Sequence, residues 1–448
     1  MKQRKSSGNM LLDIAGLIGS RLMLVIFGFG TGIITARLLG PHDRGIFTLL
    51  IMLPQTLVTF VKMGVAQANV YYIRRAHVPV SVVASNSLML TFAVTIVCLL
   101  ACLLGGQWFI DPFVDGAPWS YVWLSLILVP FLLIESYFLA ILQAVEAFGP
   151  YNMQSIYKAV MSFVGIATAL LLLHGKLWSA LVSQVSVLAI ANLWLLWQVY
   201  RIEPYRLGWD NNVGKGMLEF GAKSYIQTLA AHLHYRIDLY LIALLLNPEQ
   251  VAFYSIAVNM THPILQIPDA IGTVIFPKLA GSSDAAAHQR TAVTCRHTLF
   301  ATIIAAIVYA GIGSQLMVFF YGARYAPAIP PMFMMLPGII MISLYQILTR
   351  NFTSRNKQQI NIISAGVALV VNTTANLILI PRMGIVGAAL STAISYSLAA
   401  LILLVVFVRE SGATVRETVL VSAEDLARYP QMFWATSARF RRSGTVAK

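Results

Sequence analysis

The stretch SVVASNSLMLTFAVTIVCLLACLLGGQ, residues 81–107, contains no charged side chain. It is long enough to cross a bilayer as one helix, since the hydrocarbon core takes about twenty apolar residues. Comparable runs recur with short polar breaks between them and predict about twelve transmembrane helices. The predicted spans are 11–36, 46–73, 81–107, 119–147, 153–174, 177–200, 214–246, 250–277, 294–320, 327–350, 359–380 and 384–408. We therefore predict an all-α, polytopic membrane protein.

The composition excludes a water-soluble protein. Hydrophobic residues make up 58% of the chain and charged residues 11%, whereas about a quarter of the residues in a soluble domain are charged. The net charge of +14 would favour nucleic-acid binding in a soluble protein. In a membrane protein the basic excess of the cytoplasmic loops accounts for it. We therefore expect no nucleic-acid partner.

Lys and Arg residues are divided unequally between the two sides of the predicted membrane domain. If the N-terminus is cytoplasmic, most of the 31 Lys and Arg residues fall on that side. The opposite side receives Arg37, Arg44, Lys176, Arg324 and Arg382. The positive-inside rule therefore places both termini in the cytoplasm. The first apolar run has no small-residue cleavage site, so we expect it to remain as an uncleaved span.

The chain contains a weak internal repeat. Residues 40–47, Gly-Pro-His-Asp-Arg-Gly-Ile-Phe, match residues 247–254, Asn-Pro-Glu-Gln-Val-Ala-Phe-Tyr, and the same offset places Pro130 on Pro337. Duplicated helix bundles are common in transporters. We predict two six-helix lobes, 1–208 and 209–408, and a basic cytoplasmic tail, 409–448. The tail is either disordered or interfacial, or it contains a helix that docks a partner.

Several ionisable side chains lie inside the predicted spans. A charge at the centre of a membrane helix costs about 2.5–3.5 kcal/mol on insertion scales, so such groups usually face a cavity or a partner. The acidic candidates are Glu135, Asp238 and Asp269. The basic candidates are Arg21, Lys62, Lys223 and Arg236. They predict an anionic substrate, such as a lipid pyrophosphate, because Lys and Arg bind phosphate oxygens through charge-assisted hydrogen bonds.

Two predicted helices carry polar stripes. Helix 2 places Gln55, Thr59, Lys62 and Asn69 on one narrow face. Helix 8 does the same with Asn259, His262, Gln266, Asp269 and Thr273. The repeat relates the two stripes, and they predict the lining of a central water-filled cavity. The alternative is a salt bridge or hydrogen bonding between packed helices.

The acidic candidates suggest coupling of transport to H⁺ or Na⁺, although a buried Asp can equally serve to neutralise Lys62 or Arg236. Helix 7 is polar on two faces, one with Lys223 and Asp238 and the other with Arg236, and either could line the cavity. No nucleophile elbow, P-loop, paired Asp motif or metal-ligand spacing occurs in the sequence. We therefore expect a protein that is not an enzyme and needs no cofactor or metal.

Three motifs carry a family resemblance. They are ITARLLGP at 34–41 followed by GIF at 45–47, RID at 236–238 leading into FY at 253–254, and PRMGIVGAA at 381–389. In this order they resemble the polysaccharide-exporter branch of the multidrug/oligosaccharidyl-lipid/polysaccharide (MOP) superfamily. The likeness covers residues 10 to 408.

The resemblance implies a Wzx-type flippase with two six-helix lobes in a V shape, as in MATE transporters. Such a flippase alternates access to a central cationic cavity. It moves an undecaprenyl-pyrophosphate-linked oligosaccharide across the bacterial inner membrane for O-antigen, capsule or exopolysaccharide synthesis. The basic residues implied at the substrate are Arg21, Lys62 and either Lys223 or Arg236. A polysaccharide polymerase and chain-length proteins are the implied partners.

Two other functions remain open at this stage. A cation-coupled drug or metabolite antiporter of the same superfamily is one, although four basic groups within spans count against it. A membrane enzyme of polyprenyl-linked glycan assembly is the other. The short connections outside the membrane leave little room for a glycosyl-transfer site and count against an enzyme.

Overall fold

The computed structural model describes residues 7–114, 117–422 and 425, with the side chains at 7–22, 107, 109, 112, 222–235, 277, 278 and 280 outside the description. All secondary structure in these residues is helical. The α-helices are α1 Ser7–Val61, α2 Val65–Arg74, α3 Val80–Phe109, α4 Asp111–Val114, α5 Trp119–Leu126, α6 Leu128–Ala144, α7 Phe148–Ala167, α8 Leu177–Ile202, α9 Asn211–Leu245, α10 Pro248–Ala280, α11 Asp284–Tyr321, α12 Ile329–Ser354, α13 Gln358–Met383, α14 Ile385–Ser411 and α15 Val415–Val419. A π-helical turn, Thr168–Leu172, extends α7, and a 3₁₀ helix, Ala323–Ala328, precedes α12.

The all-α, multi-pass prediction is confirmed. Each predicted span is largely helical. Within the described part of the chain, nine helical segments are long and apolar enough to cross a membrane. The number of crossings therefore stays a prediction.

The first two predicted spans form one bent element, α1. At Gly40 the backbone has φ 78° and ψ 172°, which is not helical. A positive φ suits glycine, because a side chain there would clash with the backbone. Pro41 follows, and its missing N–H is tolerated in the first turn of the next helical stretch. The second span thus begins at residue 41, five residues earlier than predicted.

The prediction of an unbroken helix over 46–73 is wrong. The helix ends at Val61 and resumes as α2 at Val65, with positive φ at Met63 (45°) and Gly64 (67°). The cause is a close approach to α9. A Cβ placed on Gly64 would lie 2.2 Å from the carbonyl oxygen of Gly221. The interruption lets two backbones touch where side chains would keep them apart.

The described residues fall into two compact units. The first comprises residues up to 259 together with 315–329 and 377–385, and the second comprises 260–314, 330–376 and the residues from 386 onward. This division does not follow the predicted boundary at 208, so the two lobes stay a prediction. α6 supplies much of the first core through Leu133, Tyr137, Phe138, Ile141 and Leu142. The second core includes Leu344, Ile347, Leu348, Phe352 and Phe407.

The first part of the predicted tail is folded onto the second unit. Thr414 and Glu417 form a capping box at the start of α15. Farther on, Asp425 accepts a hydrogen bond from Arg296 at 3.0 Å and another from the Ser422 hydroxyl at 2.9 Å. Residues 423, 424 and 426–448 of the tail lie outside the described residues.

Candidate functional site

A cavity of about 300 Å³, lined by both apolar and polar side chains, lies among membrane-spanning helices of the first unit. It is bounded by α1, α6, α7 and α8. Its polar lining consists of Thr31, Gln55, Lys158, Ser162 and Gln184. Ionisable side chains are rare inside membrane helices, and those that occur there often mark a substrate or ion pathway. This cavity is therefore the candidate functional site of the first unit.

A buried ion pair stands at the cavity wall. The Lys158 ammonium of α7 contacts the Glu135 carboxylate of α6, and the two side chains are 35% and 11% exposed. The lysine neutralises the carboxylate, which would otherwise be strongly destabilising at this depth. Glu135 was a candidate coupling residue, and the structure gives it a specific cationic partner.

Lys158 was missed as a site residue. It is not among the candidate residues of the sequence, although it lies inside the predicted span 153–174. Its position within a span was the available signal. Gln184 and Ser162 were missed too. The Ser162 hydroxyl is 3.5 Å from Gln184 Oε1 across the α7–α8 contact, and single polar residues of this kind are common in membrane helices.

The polar stripe of the second span is divided by the helix interruption. Gln55 lines the cavity, and Thr59 is buried one turn farther on. Lys62 lies in the interruption itself, where its carbonyl accepts hydrogen bonds from the Val65 N–H (3.0 Å) and the Tyr137 hydroxyl (3.3 Å). Its side chain is half-buried. A mid-helix position for Lys62 is thus corrected to a non-helical one.

Asn69 is a packing residue in this structure. It is fully buried, and its amide donates to the Ser87 hydroxyl at 3.0 Å and to the Tyr137 carbonyl at 3.1 Å. These bonds tie α2 to α3 and α6. The predicted cavity lining at Asn69 is therefore replaced by the alternative, hydrogen bonding between helices.

The second predicted stripe is the accessible face of α10. Asn259, His262 and Gln266 are exposed, whereas Met260 and Ile264 on the other side of the helix are buried. The stripe thus keeps its predicted helical face. Whether this face lines a substrate cavity stays a prediction.

Asp269 continues this face and pairs with Arg350 of α12. The carboxylate and guanidinium are 3.1 Å apart, and the two side chains are 37% and 39% exposed. Gly272 leaves room for the arginine, because a Cβ there would already lie 3.4 Å from Arg350 Nε. Arg350 is a further residue that the sequence analysis left among the cytoplasmic basic residues.

The structure describes two of the candidate residues in helix 7. Asp238 is 8% exposed and accepts a hydrogen bond of 2.9 Å from the Tyr254 hydroxyl. Arg236 is half-buried. The side chains of Arg21 and Lys223 lie outside the described residues, so their roles stay predictions. The question of which face of helix 7 lines a cavity stays open with them.

The described acidic, histidine and cysteine side chains are too scattered to form a metal site. No group of three or more His, Cys, Asp or Glu residues among them could hold a metal ion. The pairs found at Glu135 and Asp269 each join one carboxylate to one cation. Chemically, such pairs can exchange a proton or release a carboxylate to a competing cation.

Known proteins resemble this chain in sequence and in fold. A family model described as "Polysaccharide biosynthesis protein" matches residues 11–283, more than half of the chain. The probable low-salt glycan biosynthesis flippase Agl15 of Haloferax volcanii is 21% identical over 187 residues. That alignment covers 41% of this chain and 40% of Agl15, so it spans less than half of the relative's length.

Two solved structures share the fold at low sequence identity. The lipid II flippase MurJ in its inward closed conformation matches with a TM-score of 0.74 and 15% identity over 90% of each chain. An inward-facing MATE family multidrug resistance transporter matches with a TM-score of 0.65 and 14% identity, over 87% of this chain and 94% of that one. The chain belongs to the family described as "Polysaccharide biosynthesis protein".

Proposed function

We propose that this protein is a flippase for a polyprenyl-pyrophosphate-linked oligosaccharide repeat unit. It acts by alternating access in the bacterial inner membrane, with both termini in the cytoplasm, and supplies repeat units for polysaccharide biosynthesis. The observation that carries the proposal is the cavity with Gln55, Lys158 and Gln184, set among apolar spanning helices in a chain of this family. The protein is a transporter rather than an enzyme, and a polymerase and chain-length proteins are its expected partners.

The cationic groups supply the substrate chemistry. A diphosphate carries negative charge that Lys and Arg bind through charge-assisted hydrogen bonds. The described candidates are Lys62, in the helix interruption, and Arg236, on α9. Both side chains are half-buried, so part of each is accessible. Arg21 and Lys223 complete the set. The exposed polar face of α10, with Asn259, His262 and Gln266, suits the hydroxyl groups of a glycan.

The direct test is leaflet distribution of the lipid-linked glycan. Deleting the gene should leave the glycan-lipid on the cytoplasmic leaflet, and Lys62→Gln or Arg236→Gln should restore export only partly. Arg201→Gln is the matched control, because Arg201 is exposed at the end of α8 and stacks on Trp197 at 4.8 Å. Normal leaflet distribution and polymer export in the deletion strain would refute the proposal.

Ion coupling is proposed at Glu135, Asp238 or Asp269, each of which has a charged or hydroxyl partner within its own unit. Protonation or Na⁺ binding at a carboxylate changes what its partner is bonded to, and so can favour one conformation. Replacing each by its amide and measuring flipping against pH and Na⁺ concentration tests the three separately. An unchanged dependence removes that residue from the coupling step.

The two competing functions predict different results. A drug or metabolite antiporter would confer efflux of organic cations, which transport assays with the purified protein can measure. A membrane enzyme would change the covalent structure of the lipid-linked unit. Mass spectrometry of that unit from the deletion strain should therefore find it chemically complete if the flippase proposal is correct.

A further inference from the structure

The part of α1 just before its bend at Gly40 contacts the end of α11 and the connection to α12. Arg37 Nε donates to the Phe320 carbonyl at 2.8 Å, and the Arg37 guanidinium also contacts the Phe319 carbonyl. These are among the last carbonyls of α11, which have no partner within the helix and lie at the negative end of its dipole. The Tyr325 hydroxyl donates to the Ala36 carbonyl at 2.8 Å. We call these contacts the distal closure.

Aromatic rings fill the distal closure. Phe29 packs edge-on against Phe320 and Tyr321, with centroid distances of 5.0 and 5.9 Å. Tyr325 packs in the same way on Phe253 of α10 at 5.9 Å. Because all of these residues belong to the first unit, the closure is a single packed cluster. It is held by two contacts of Arg37 with backbone carbonyls, one phenol hydrogen bond and edge-on ring contacts.

Arg44 is buried beside this cluster: it is 9% exposed, and it donates a hydrogen bond to the Thr48 hydroxyl on its own helix at 3.2 Å. Its Nε has no hydrogen-bond partner among the described residues. The ring of Phe47 lies 5.6 Å from the guanidinium carbon, and Tyr321 and Tyr325 are its neutral neighbours. Among the described residues, no carboxylate lies within ion-pair distance of Arg44.

Other poorly exposed cations of the described chain do have carboxylate partners. Lys158 pairs with Glu135, Arg296 with Asp425 at 2.9 Å, and Arg355 with Asp284 at 2.8 Å. A guanidinium taken out of water without such a partner is strongly unfavourable. Arg44 therefore opposes the closed arrangement, whereas Arg37 holds it shut.

We propose that Arg44 is a binding residue for the diphosphate group of the transported lipid, uncovered when the distal closure opens. The inference rests on the proposed function and adds a site to it. A guanidinium presents parallel N–H donors that match phosphate oxygens, so a diphosphate supplies the charge that the closed cluster lacks. A ligand that binds only the open state shifts the population toward it. The substrate anion thus favours opening at this end.

The alternative is that Arg44 is a structural residue, held by Phe47 and the two tyrosines through cation–π and dipole contacts. The two possibilities predict opposite effects of removing its charge. If Arg44 opposes closure, Arg44→Gln closes the cluster more firmly. If Arg44 is structural, Arg44→Gln loosens the cluster as Arg37→Gln does.

The experiment measures opening directly. Spin labels are attached at Leu38→Cys and Val318→Cys, which are exposed on α1 and α11, after replacement of the buried Cys98, Cys102 and Cys295. The labelled full chain is placed in nanodiscs, and distances between the labels are measured by electron–electron resonance. The probes are undecaprenyl diphosphate and inorganic pyrophosphate. Arg37→Gln, Arg44→Gln and Arg44→Lys are compared with the parent.

The parent should gain a longer-distance population when undecaprenyl diphosphate is added. Arg37→Gln should show that population without any anion. Arg44→Gln should lose the response, with an apparent affinity weaker by about tenfold or more, as expected for loss of a charge-assisted pair. Arg44→Lys keeps the charge and should retain part of the response, which also separates a binding defect from misfolding. A response to both probes assigns recognition to the diphosphate itself, and a response to the lipid alone assigns it to a membrane-presented headgroup.

The inference is overturned if Arg44→Gln responds like the parent, or if it opens without anion like Arg37→Gln. It is overturned equally if neither anion moves the parent. None of these results bears on the proposed function, which is judged by flipping of the glycan-lipid by the unlabelled parent in proteoliposomes.

Discussion

Each unit contains a carboxylate paired with a cation inside its helices, but the two carboxylates differ in how far they are exposed. Glu135 and Lys158 in the first unit are 11% and 35% exposed. Asp269 and Arg350 in the second unit are 37% and 39% exposed, at a distance of 3.1 Å. A more exposed carboxylate depends less on its cationic partner. Glu135 is therefore the more enclosed of the two carboxylates, and Asp269 is the more accessible to a substrate or an ion.

The largest effect is expected from breaking the enclosed pair. Lys158→Met leaves the Glu135 carboxylate buried and unpaired, and should lower the free energy of unfolding by about 3 kcal/mol. Thermal unfolding in detergent measures the loss. Lys176→Met is the matched control, since Lys176 is exposed at the start of α8. Adding Glu135→Leu to Lys158→Met should recover most of the stability; no recovery would show that the pair is not the cause.

Breaking the accessible pair should cost much less. Asp269→Asn removes an ion pair whose carboxylate is 37% exposed, so the free energy of unfolding should fall by only about 0.5–1 kcal/mol. The same unfolding assay applies, with Arg350→Gln as the partner control. A loss as large as that of Lys158→Met would contradict the difference between the two units. A flattened pH or Na⁺ dependence of flipping would assign coupling to the accessible pair.

The second unit also contains a poorly exposed ion pair, between Arg296 of α11 and Asp425 of the tail, at 2.9 Å. Burial alone would raise the pKa of Asp425, but hydrogen bonds from Ser422 and the Arg296 charge lower it below its usual value. A lowered pKa means that docking of this segment is favoured at neutral pH and is lost as the pH falls through that pKa. Limited proteolysis around residues 412–425 should therefore increase only in strong acid. Asp425→Asn should give the same increase at neutral pH.

Single cysteine substitutions should affect stability least. They compare the accessibility of the cavity wall in the first unit with that of the polar face of α10. Gln266→Cys lies on the exposed face of α10, and Gln55→Cys lies at the partly buried cavity wall. With the native cysteines replaced, a charged thiol reagent should label position 266 faster than position 55. Equal rates would mean that the first cavity opens as readily as the face of α10.

Much of the fold could be predicted from the sequence because long apolar runs leave a membrane helix as the only way to satisfy the backbone. The break at residues 62–64 could not, since it depends on the contact of Gly64 with Gly221, far away in the chain. Helical periodicity assumes an unbroken helix. It therefore placed Lys62 mid-span and joined Asn69 to a stripe that ends at the break.

The site was predicted in part for a similar reason. Periodicity correctly put Asn259, His262 and Gln266 on one face of α10, because that face depends on the helix alone. The partners of Glu135 and Asp269 depend on packing between helices. Lys158 and Arg350 were therefore missed. A lysine or arginine near the end of a predicted span cannot be told from a basic loop residue until its carboxylate partner is known.

Flipping of a lipid-linked glycan by this protein can be measured after the purified protein is reconstituted in liposomes. Purified protein is placed in liposomes with fluorescent undecaprenyl-pyrophosphate-linked oligosaccharide, and a membrane-impermeant quencher reports the fraction in the outer leaflet over time. We predict equilibration much faster than in protein-free liposomes, and slower equilibration with Lys62→Gln than with the Arg201→Gln control. Equilibration no faster than in protein-free liposomes, with protein that is folded by the unfolding assay, would contradict the account.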